Sequence, residues 1–213
     1  MRYRHIIWDW NGTLIDDLDV CIEVMNGLLA RRDLPLLNRE RYHALFGFPV
    51  RDYYASLGFD LSGDGFERLS VEFISAYDSR RWDCRLHKGA PEILSAVTRA
   101  GATQSILSAY RRETLVEIVG HFGLAHHFMR LMGLDNIFAH SKEELGRAWI
   151  AELGVPPAEV LMVGDTLHDL DVARHMGADC VLVAVGHNPA ARLRARHDCV
   201  VDDLAALQRL LGL

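Results

Sequence analysis

The chain has 213 residues, half of them hydrophobic and 24% charged, with a formal net charge of −6. That is the balance of an ordinary globular protein, large enough for one sizeable domain or for a core with a smaller insertion. The acidic balance argues against nucleic-acid binding, no apolar run approaches the ~20 residues of a membrane-spanning helix, and Cys21, Cys84, Cys180 and Cys199 are too scattered for a disulfide framework. Four short apolar runs, His5–Trp8, Ser105–Leu107, Val160–Val163 and Cys180–Val185, read as parallel strands buried on both faces. Helical stripes lie between them: Ile93, Leu94 and Val97; Leu115, Ile118, Val119 and Phe122; Leu145, Ala148, Trp149 and Leu153; Leu204, Leu207, Leu210 and Leu211. From about residue 88 onward strand and helix alternate, which predicts an α/β fold with a doubly wound parallel sheet.

The stretch from Asp16 to Arg85 breaks that rhythm. Leu18, Cys21, Ile22, Met25, Leu28 and Leu29 form one amphipathic stripe, and Phe66, Leu69, Phe73, Ile74 and Tyr77 form another. Breakers separate them at Pro35, Gly47–Phe48–Pro49, Gly58 and Ser62–Gly63–Asp64–Gly65. One crossover helix is all an α/β unit needs, so 16–85 is expected to be a small helical cap, with 1–15 and 86–213 forming the α/β core. The alternative is a long crossover packed flat on the sheet. The N-terminal apolar run is very short and is broken by Asp9, which argues against a signal peptide; a reduced, cytoplasmic protein is expected.

Four features fall where open α/β sheets bind ligands, beyond the ends of strands. Asp9 directly follows the first strand in Asp9-Trp10-Asn11-Gly12-Thr13-Leu14. A carboxylate at a strand tip can reach a phosphorus atom or a metal, although Asn-Gly is also an ordinary turn. Gly164-Asp165-Thr166-Leu167-His168-Asp169 follows another strand and sets Asp165 and Asp169 one helical turn apart. Carboxylates gathered in this way suit a hard cation such as Mg²⁺; capping of the following helix explains one of them better than two. Ser108, with Ala109 beside it, ends a third strand and can donate to a phosphate oxygen, though a serine there is commonly structural. Lysine occurs only at Lys88 and Lys142. Ser141 and Glu144 have capping-box spacing, which puts Lys142 in a first helical turn, where its charge opposes the helix dipole. That local cost hints at a second task such as neutralising phosphate; a solvated lysine is the plain alternative.

In order and placement these residues resemble the four signature motifs of the haloacid dehalogenase superfamily: nucleophilic Asp, Ser/Thr, Lys, and the acidic Gly-Asp-Thr-x-x-Asp. The helical insertion resembles that superfamily's class-one cap, and the chain as a whole looks closest to phosphoglycolate-phosphatase-like members. The resemblance implies a Rossmann-like core, Mg²⁺ and an aspartyl-phosphate intermediate. It makes Asp9 nucleophile and metal ligand, adds the Asn11 carbonyl and Asp165 as further ligands, and gives Ser108, Ala109 and Lys142 to the phosphoryl group. Asp169 then holds a water of the ion's shell or orients the site, and Lys142 also keeps Asp9 ionised.

One departure stands out. Phosphatases of the superfamily usually carry Asp two residues after the nucleophile, as the group that protonates the leaving oxygen; here it is Asn11. An amide cannot relay a proton, and general acid–base catalysis contributes roughly 10²–10⁴-fold, so a slower enzyme is expected, with Asn11→Asp expected to speed turnover. His168 is one candidate for a substitute proton donor, and a surface histidine is the plainer reading of it. Deamidation at Asn11-Gly12 would be another source of an acid. The insertion holds no lysine, which argues against a phosphonatase with a Schiff-base lysine. Dehalogenases need no metal and phosphomutases depend on the missing acid, which disfavours both. Arg51, in Phe46-Gly47-Phe48-Pro49-Val50-Arg51, could present its guanidinium to a substrate carboxylate; a solvated helix-start arginine is the alternative. Tyr42, His43 and Tyr53 are equally readable as packing or substrate contacts. The expected partner is a small phosphorylated metabolite, with phosphoglycolate the first candidate. The competing class is a phosphate-ligand-binding or regulatory protein that keeps fold and metal but barely turns over.

Overall fold

The computed structural model describes residues 2–134 and 142–213. Strand β1, His5–Trp8, lies at the centre of a six-stranded sheet with β4 (Thr103–Arg111) on one side and β6 (Val160–Gly164) on the other. Strand β5 (Arg130–Leu134) lies outside β4, and β7 (Asp179–Val183) and then β8 (Val200–Val201) lie outside β6. Every neighbouring pair is parallel. All six strands therefore point the same way, and the residues just past their C-terminal ends share one edge of the sheet.

Period-two alternation splits the strand side chains between two apolar layers. Ile6, Trp8, Ile106, Leu161, Val163, Val181 and Val183 belong to one cluster, and Ile7, Leu107, Val160, Met162, Cys180 and Leu182 to the other. Helices α5 (Ala90–Arg99), α6 (Arg112–His121) and α10 (Leu204–Leu210) contribute to the first cluster. Helices α7 (Lys142–Leu153), α8 (Leu167–Met176) and α9 (Ala190–Arg194) contribute to the second. The expected stripes hold except at two positions: Ala148 and Leu210 are exposed, while Gly146 and Lys142 take the buried side of α7. Ser141, the first residue of the anticipated capping box, lies outside the described residues.

Four helices fill the stretch after β1: α1 (Leu18–Ala30), α2 (Arg39–Leu45), α3 (Val50–Ser56) and α4 (Gly65–Arg80). The predicted breakers fall between them. A short antiparallel pair, β2 (Ile15–Asp16) with β3 (Arg85–Leu86), closes the insertion at its stem, so the chain leaves and re-enters the core side by side. The stripe on α1 is fully buried, but the insertion has no core of its own. Leu18, Met25, Leu28, Leu69 and Tyr77 belong to the same continuous cluster as Ile6 and Trp8.

The centre of the sheet also buries a histidine. The His5 nitrogens meet Thr103 Oγ1 at 2.7 Å and Ser105 Oγ at 2.8 Å, beside the Trp149 ring. Burial lowers the His5 pKa to about 4, so the folded protein holds the neutral ring. The native state then binds fewer protons than the unfolded chain between the ordinary histidine value of about 6.5 and about 4. Stability from this group is present above pH ~6.5 and is lost as pH falls through ~4. Urea midpoints measured from pH 7 to 4 should fall in the wild type and fall less steeply in His5→Asn.

Candidate active site

Asp9 and Asp165 stand just past the C-terminal ends of β1 and β6, and Ser108 lies in the C-terminal half of β4 between them and β5. Parallel pairing brings them together, since Trp8 is in register with Ile106 on one side and Val163 on the other. Asp9 N–H donates to the Val163 carbonyl at 2.8 Å, which fixes the backbone from which its carboxylate projects. Strand β4 changes register against β5 between Leu107 and Arg111, so Ser108 and Ala109 fall in the irregular stretch; Ser108 Oγ accepts from Tyr110 N–H at 3.1 Å.

Lys142, at the start of α7, is 3% exposed, and its ammonium reaches two carboxylates. Lys142 Nζ donates to Asp9 Oδ1 at 2.5 Å and to Asp169 Oδ1 at 2.6 Å. The solvated-lysine alternative is thereby removed. Asp169 has a second attachment, because its Oδ2 accepts from Thr166 N–H at 3.0 Å and from Thr166 Oγ1 at 2.7 Å, forming a capping box at the start of α8. Helix capping and charge gathering thus act through the same side chain. Asp165 accepts from Thr13 Oγ1 at 2.9 Å and from His187 N–H at 2.6 Å.

Ligand oxygens of Asp9, Asp165 and Asp169 all lie within 4.8 Å of one another, and the three side chains are buried. Burial raises the Asp9 carboxyl to about 8; Asp169 and Asp165 add to the rise and Lys142 opposes it. Asp165 is raised to about 6, again first by burial. Asp169 is held below the ordinary carboxylate value because Lys142 and Thr166 outweigh its burial. Burial lowers the Lys142 pKa, but Asp169 and Asp9 reverse that and raise it above the ordinary lysine value. Three buried carboxylates against one ammonium leave negative charge and hard oxygen donors in one place. That donor set fits a divalent cation. Asp169 spends its two oxygens on Lys142 and Thr166, and Asp165 spends its two on Thr13 and His187.

The turn after Asp9 is tied down from several sides. Gly12 has φ of 73°, a left-handed backbone that favours glycine, and a Cβ there would run into the Asp165 carboxylate and the His187 ring. Asn11 Nδ2 donates to Asp17 Oδ2 at 2.8 Å and to the Tyr77 hydroxyl at 2.9 Å, and the Tyr77 hydroxyl donates to the same Asp17 oxygen at 2.9 Å. Gly12 N–H donates to Asp17 Oδ1 at 2.9 Å, and His187 Nε2 lies 3.3 Å from that atom. Burial pushes the Asp17 carboxyl up, but His187, Asn11 and Tyr77 outweigh it and hold it at about 2. Burial likewise opposes charge on His187, but Asp17 and the site carboxylates raise it to about 9.

Sequence reasoning missed Asp17, Tyr77 and His187. His187 carried a usable signal, since Gly186-His187-Asn188-Pro189 follows a strand on the ligand-binding edge. Tyr42 and His43 prove to be contacts between insertion and core: the Tyr42 hydroxyl meets His187 Nδ1 at 2.9 Å, and His43 Nε2 donates to Gly186 O at 3.3 Å. Tyr53 is buried among aromatic rings of the insertion. His168 is no free surface histidine; its ring stacks on Phe48 of the insertion, centroids 4.3 Å apart. Arg51 is not drawn into the cluster. It is exposed, with its guanidinium over the Phe66 ring at 4.7 Å.

Fold and site together define a doubly wound α/β core that gathers an acidic cluster and a lysine at the strand ends. The family model for haloacid dehalogenase-like hydrolases matches residues 6–183, and the chain belongs to that family. A 5'-nucleotidase of Pseudomonas aeruginosa is 31% identical over 99% of this chain and 96% of its own length. An N-acetylmuramic acid 6-phosphate phosphatase of Pseudomonas putida is 28% identical over 88% of this chain and 85% of its own. Among solved structures, a haloacid dehalogenase-like hydrolase from Bacteroides fragilis superposes with a TM-score of 0.84 at 20% identity, covering 96% of this chain and 99% of that one.

The shared lysine is open to direct test. Lys142→Met leaves two carboxylates buried beside an apolar side chain. Removing one partner of a buried ion pair costs about 3–5 kcal/mol, so urea denaturation at neutral pH should show a loss of that order.

Proposed function

We propose that the protein is a magnesium-dependent phosphomonoesterase that transfers a phosphoryl group from a small metabolite to Asp9 and then to water. The observation that carries this reading is the meeting of Asp9, Asp165 and Asp169 within 4.8 Å of one another, with Lys142 bonded to two of them. Phosphoryl transfer needs positioning and charge neutralisation more than covalent chemistry from the protein. Mg²⁺, held by the Asp9 and Asp165 carboxylates and the Asn11 carbonyl, would neutralise charge on the transferring group. Lys142 is engaged with Asp9 through Oδ1, which leaves Oδ2 to attack phosphorus in line with the departing alkoxide. The Lys142 ammonium spreads over the phosphoryl oxygens, and the Ser108 hydroxyl and Ala109 N–H complete their binding. A water then displaces Asp9 from the phosphoryl group, regenerating the carboxylate and releasing inorganic phosphate.

No carboxylic acid stands at residue 11 to protonate the alkoxide, which supports a rate below that of phosphatases carrying Asp there. The surroundings of Asn11 argue against a simple repair. An ionised carboxylate only accepts hydrogen bonds, so the atom 2.8 Å from Asp17 Oδ2 has to be the amide nitrogen. Asp at position 11 would set two carboxylates against each other in a buried place. Asn11→Asp is therefore expected to lower turnover and thermal stability at neutral pH, contrary to what the motif alone suggests. A faster and equally stable variant would show that the Asp17 contact is dispensable. The same network argues against deamidation, because the attacking Gly12 N–H is held by Asp17 and Ile15 and the amide nitrogen by Asp17 and Tyr77. Peptide mass spectrometry of an aged preparation should find Asn11 intact.

As substrate, the 31% identical 5'-nucleotidase favours a nucleoside 5'-monophosphate, whose nucleoside is the leaving group. An amino-sugar 6-phosphate comes next, on the strength of the relative from Pseudomonas putida. Phosphoglycolate loses the carboxylate contact expected of Arg51, which lies over Phe66, but keeps the support of phosphoglycolate phosphatases 24% and 23% identical to this chain, and so comes third. A panel of these three substrates, assayed for phosphate release with and without magnesium, tests the reading. Wild type should release phosphate only with the metal, and Asp9→Asn should reduce release to background. Equal release from both proteins would favour the ligand-binding class instead.

A further inference from the structure

We infer that His187 is a positioning residue for the reaction at Asp9, holding the Asn11–Gly12 turn, Asp165 and the helical insertion in one arrangement. The inference rests on the function proposed above. His187 lies in the loop between β7 and α9, and it is bonded in three directions. Its backbone N–H fixes one oxygen of Asp165, at 2.6 Å. Its Nε2 faces Asp17, which carries the Gly12 N–H on one oxygen and the Asn11 amide on the other. Its Nδ1 meets the Tyr42 hydroxyl of α2, while Tyr77 of α4 reaches both Asn11 and Asp17 from the far side of the insertion. One imidazole thus joins two strand-end loops of the core to a helix laid over them.

The contacts are made where water cannot compete. Asp17, Tyr42 and His187 are each 5% exposed or less, and hydrogen bonds in a dry network are stronger and less forgiving of displacement than those at a surface. The helix that follows His187 repeats the tie: Arg192 of α9 donates to the Ala44 and Phe46 carbonyls at 2.6 and 2.5 Å, at the end of α2. Together these bonds commit the Asn11 amide nitrogen to Asp17 and Tyr77, and leave the amide oxygen as the atom they do not engage. A side chain that cannot act as an acid then serves by its fixed orientation. His187 acts on the reaction through that orientation and through Asp165, without touching the phosphoryl group.

Misplacement by about 1 Å of groups aligned for reaction can cost ~10²-fold in rate. Hydrolysis of p-nitrophenyl phosphate with magnesium should therefore separate kcat from KM. His187→Gln is expected to lower kcat by roughly 10–100-fold with KM within about threefold. Tyr42→Phe, which deletes only the bond from the insertion, should lower kcat in the same direction and by less. Thermal unfolding confirms that each variant is folded. A second readout is independent of turnover: the Asn11 side-chain amide signal, assigned by its loss in Asn11→Ala, should exchange with solvent slowly in wild type and at least tenfold faster in His187→Gln. Unchanged kcat together with unchanged amide exchange in a folded His187→Gln overturns the inference. If that variant does not fold, wild-type values for both quantities in Tyr42→Phe overturn it. A wild type without magnesium-dependent hydrolysis defeats the proposed function instead, and the amide exchange rates then decide the positioning role by themselves.

Discussion

The structure depends on one buried ammonium shared between two carboxylates. Lys142 comes from a helix packed on one face of the sheet, Asp9 from the tip of the central strand, and Asp169 from the first turn of α8. Burying any one of these charges alone would cost several kcal/mol. Together they are tolerable, and only in this geometry. The parallel register of β1 and β6 brings the two acidic segments side by side, and the capping box at Thr166 fixes Asp169 so that its remaining oxygen faces the lysine.

That arrangement still leaves unbalanced negative charge. Asp165 joins Asp9 and Asp169, and among the described residues the Lys142 ammonium is the cation bonded to this group. A protein that held such a cluster for stability alone would gain by replacing it with apolar side chains of similar volume. Its retention at the ligand-binding edge of an α/β sheet is the physical reason to read it as a site for a cation and a phosphorylated substrate. The second buried charge pair, Asp17 with His187, borders the same turn: Asp17 accepts from Gly12 N–H, and the His187 ring and the Asp165 carboxylate both face Gly12. The turn that follows Asp9 is thus held by both sets of charges.

Much of this was legible in the sequence where the signal was local. Runs such as His5–Trp8 and Val160–Val163 could be read as buried parallel strands because both faces are covered, and Asp9 and Asp165 could be placed because each directly follows such a run. Strands β5 and β8 were not legible. Arg130–Leu134 begins with an exposed arginine and includes a glycine, and Val200–Val201 is only two residues long. The network around Asn11 was hidden for another reason. Asp17, Tyr42, Tyr77 and His187 come from four separate segments, and each by itself looks like an ordinary loop or helix residue. Arg51 shows the converse: a suggestive local setting put it forward, but the nearby Phe66 ring gives its guanidinium a partner on the insertion itself.

We propose Asp9 as the phosphoryl-accepting nucleophile of a site shared with a divalent cation and Lys142. A crystal structure grown with magnesium and beryllium fluoride tests it most directly. The beryllium should be bonded to an Asp9 carboxylate oxygen, with magnesium between Asp9, Asp165 and the Asn11 carbonyl and with Lys142 on the fluorine atoms. Beryllium fluoride or magnesium bound elsewhere, with the Lys142–Asp9 pair untouched, would contradict it.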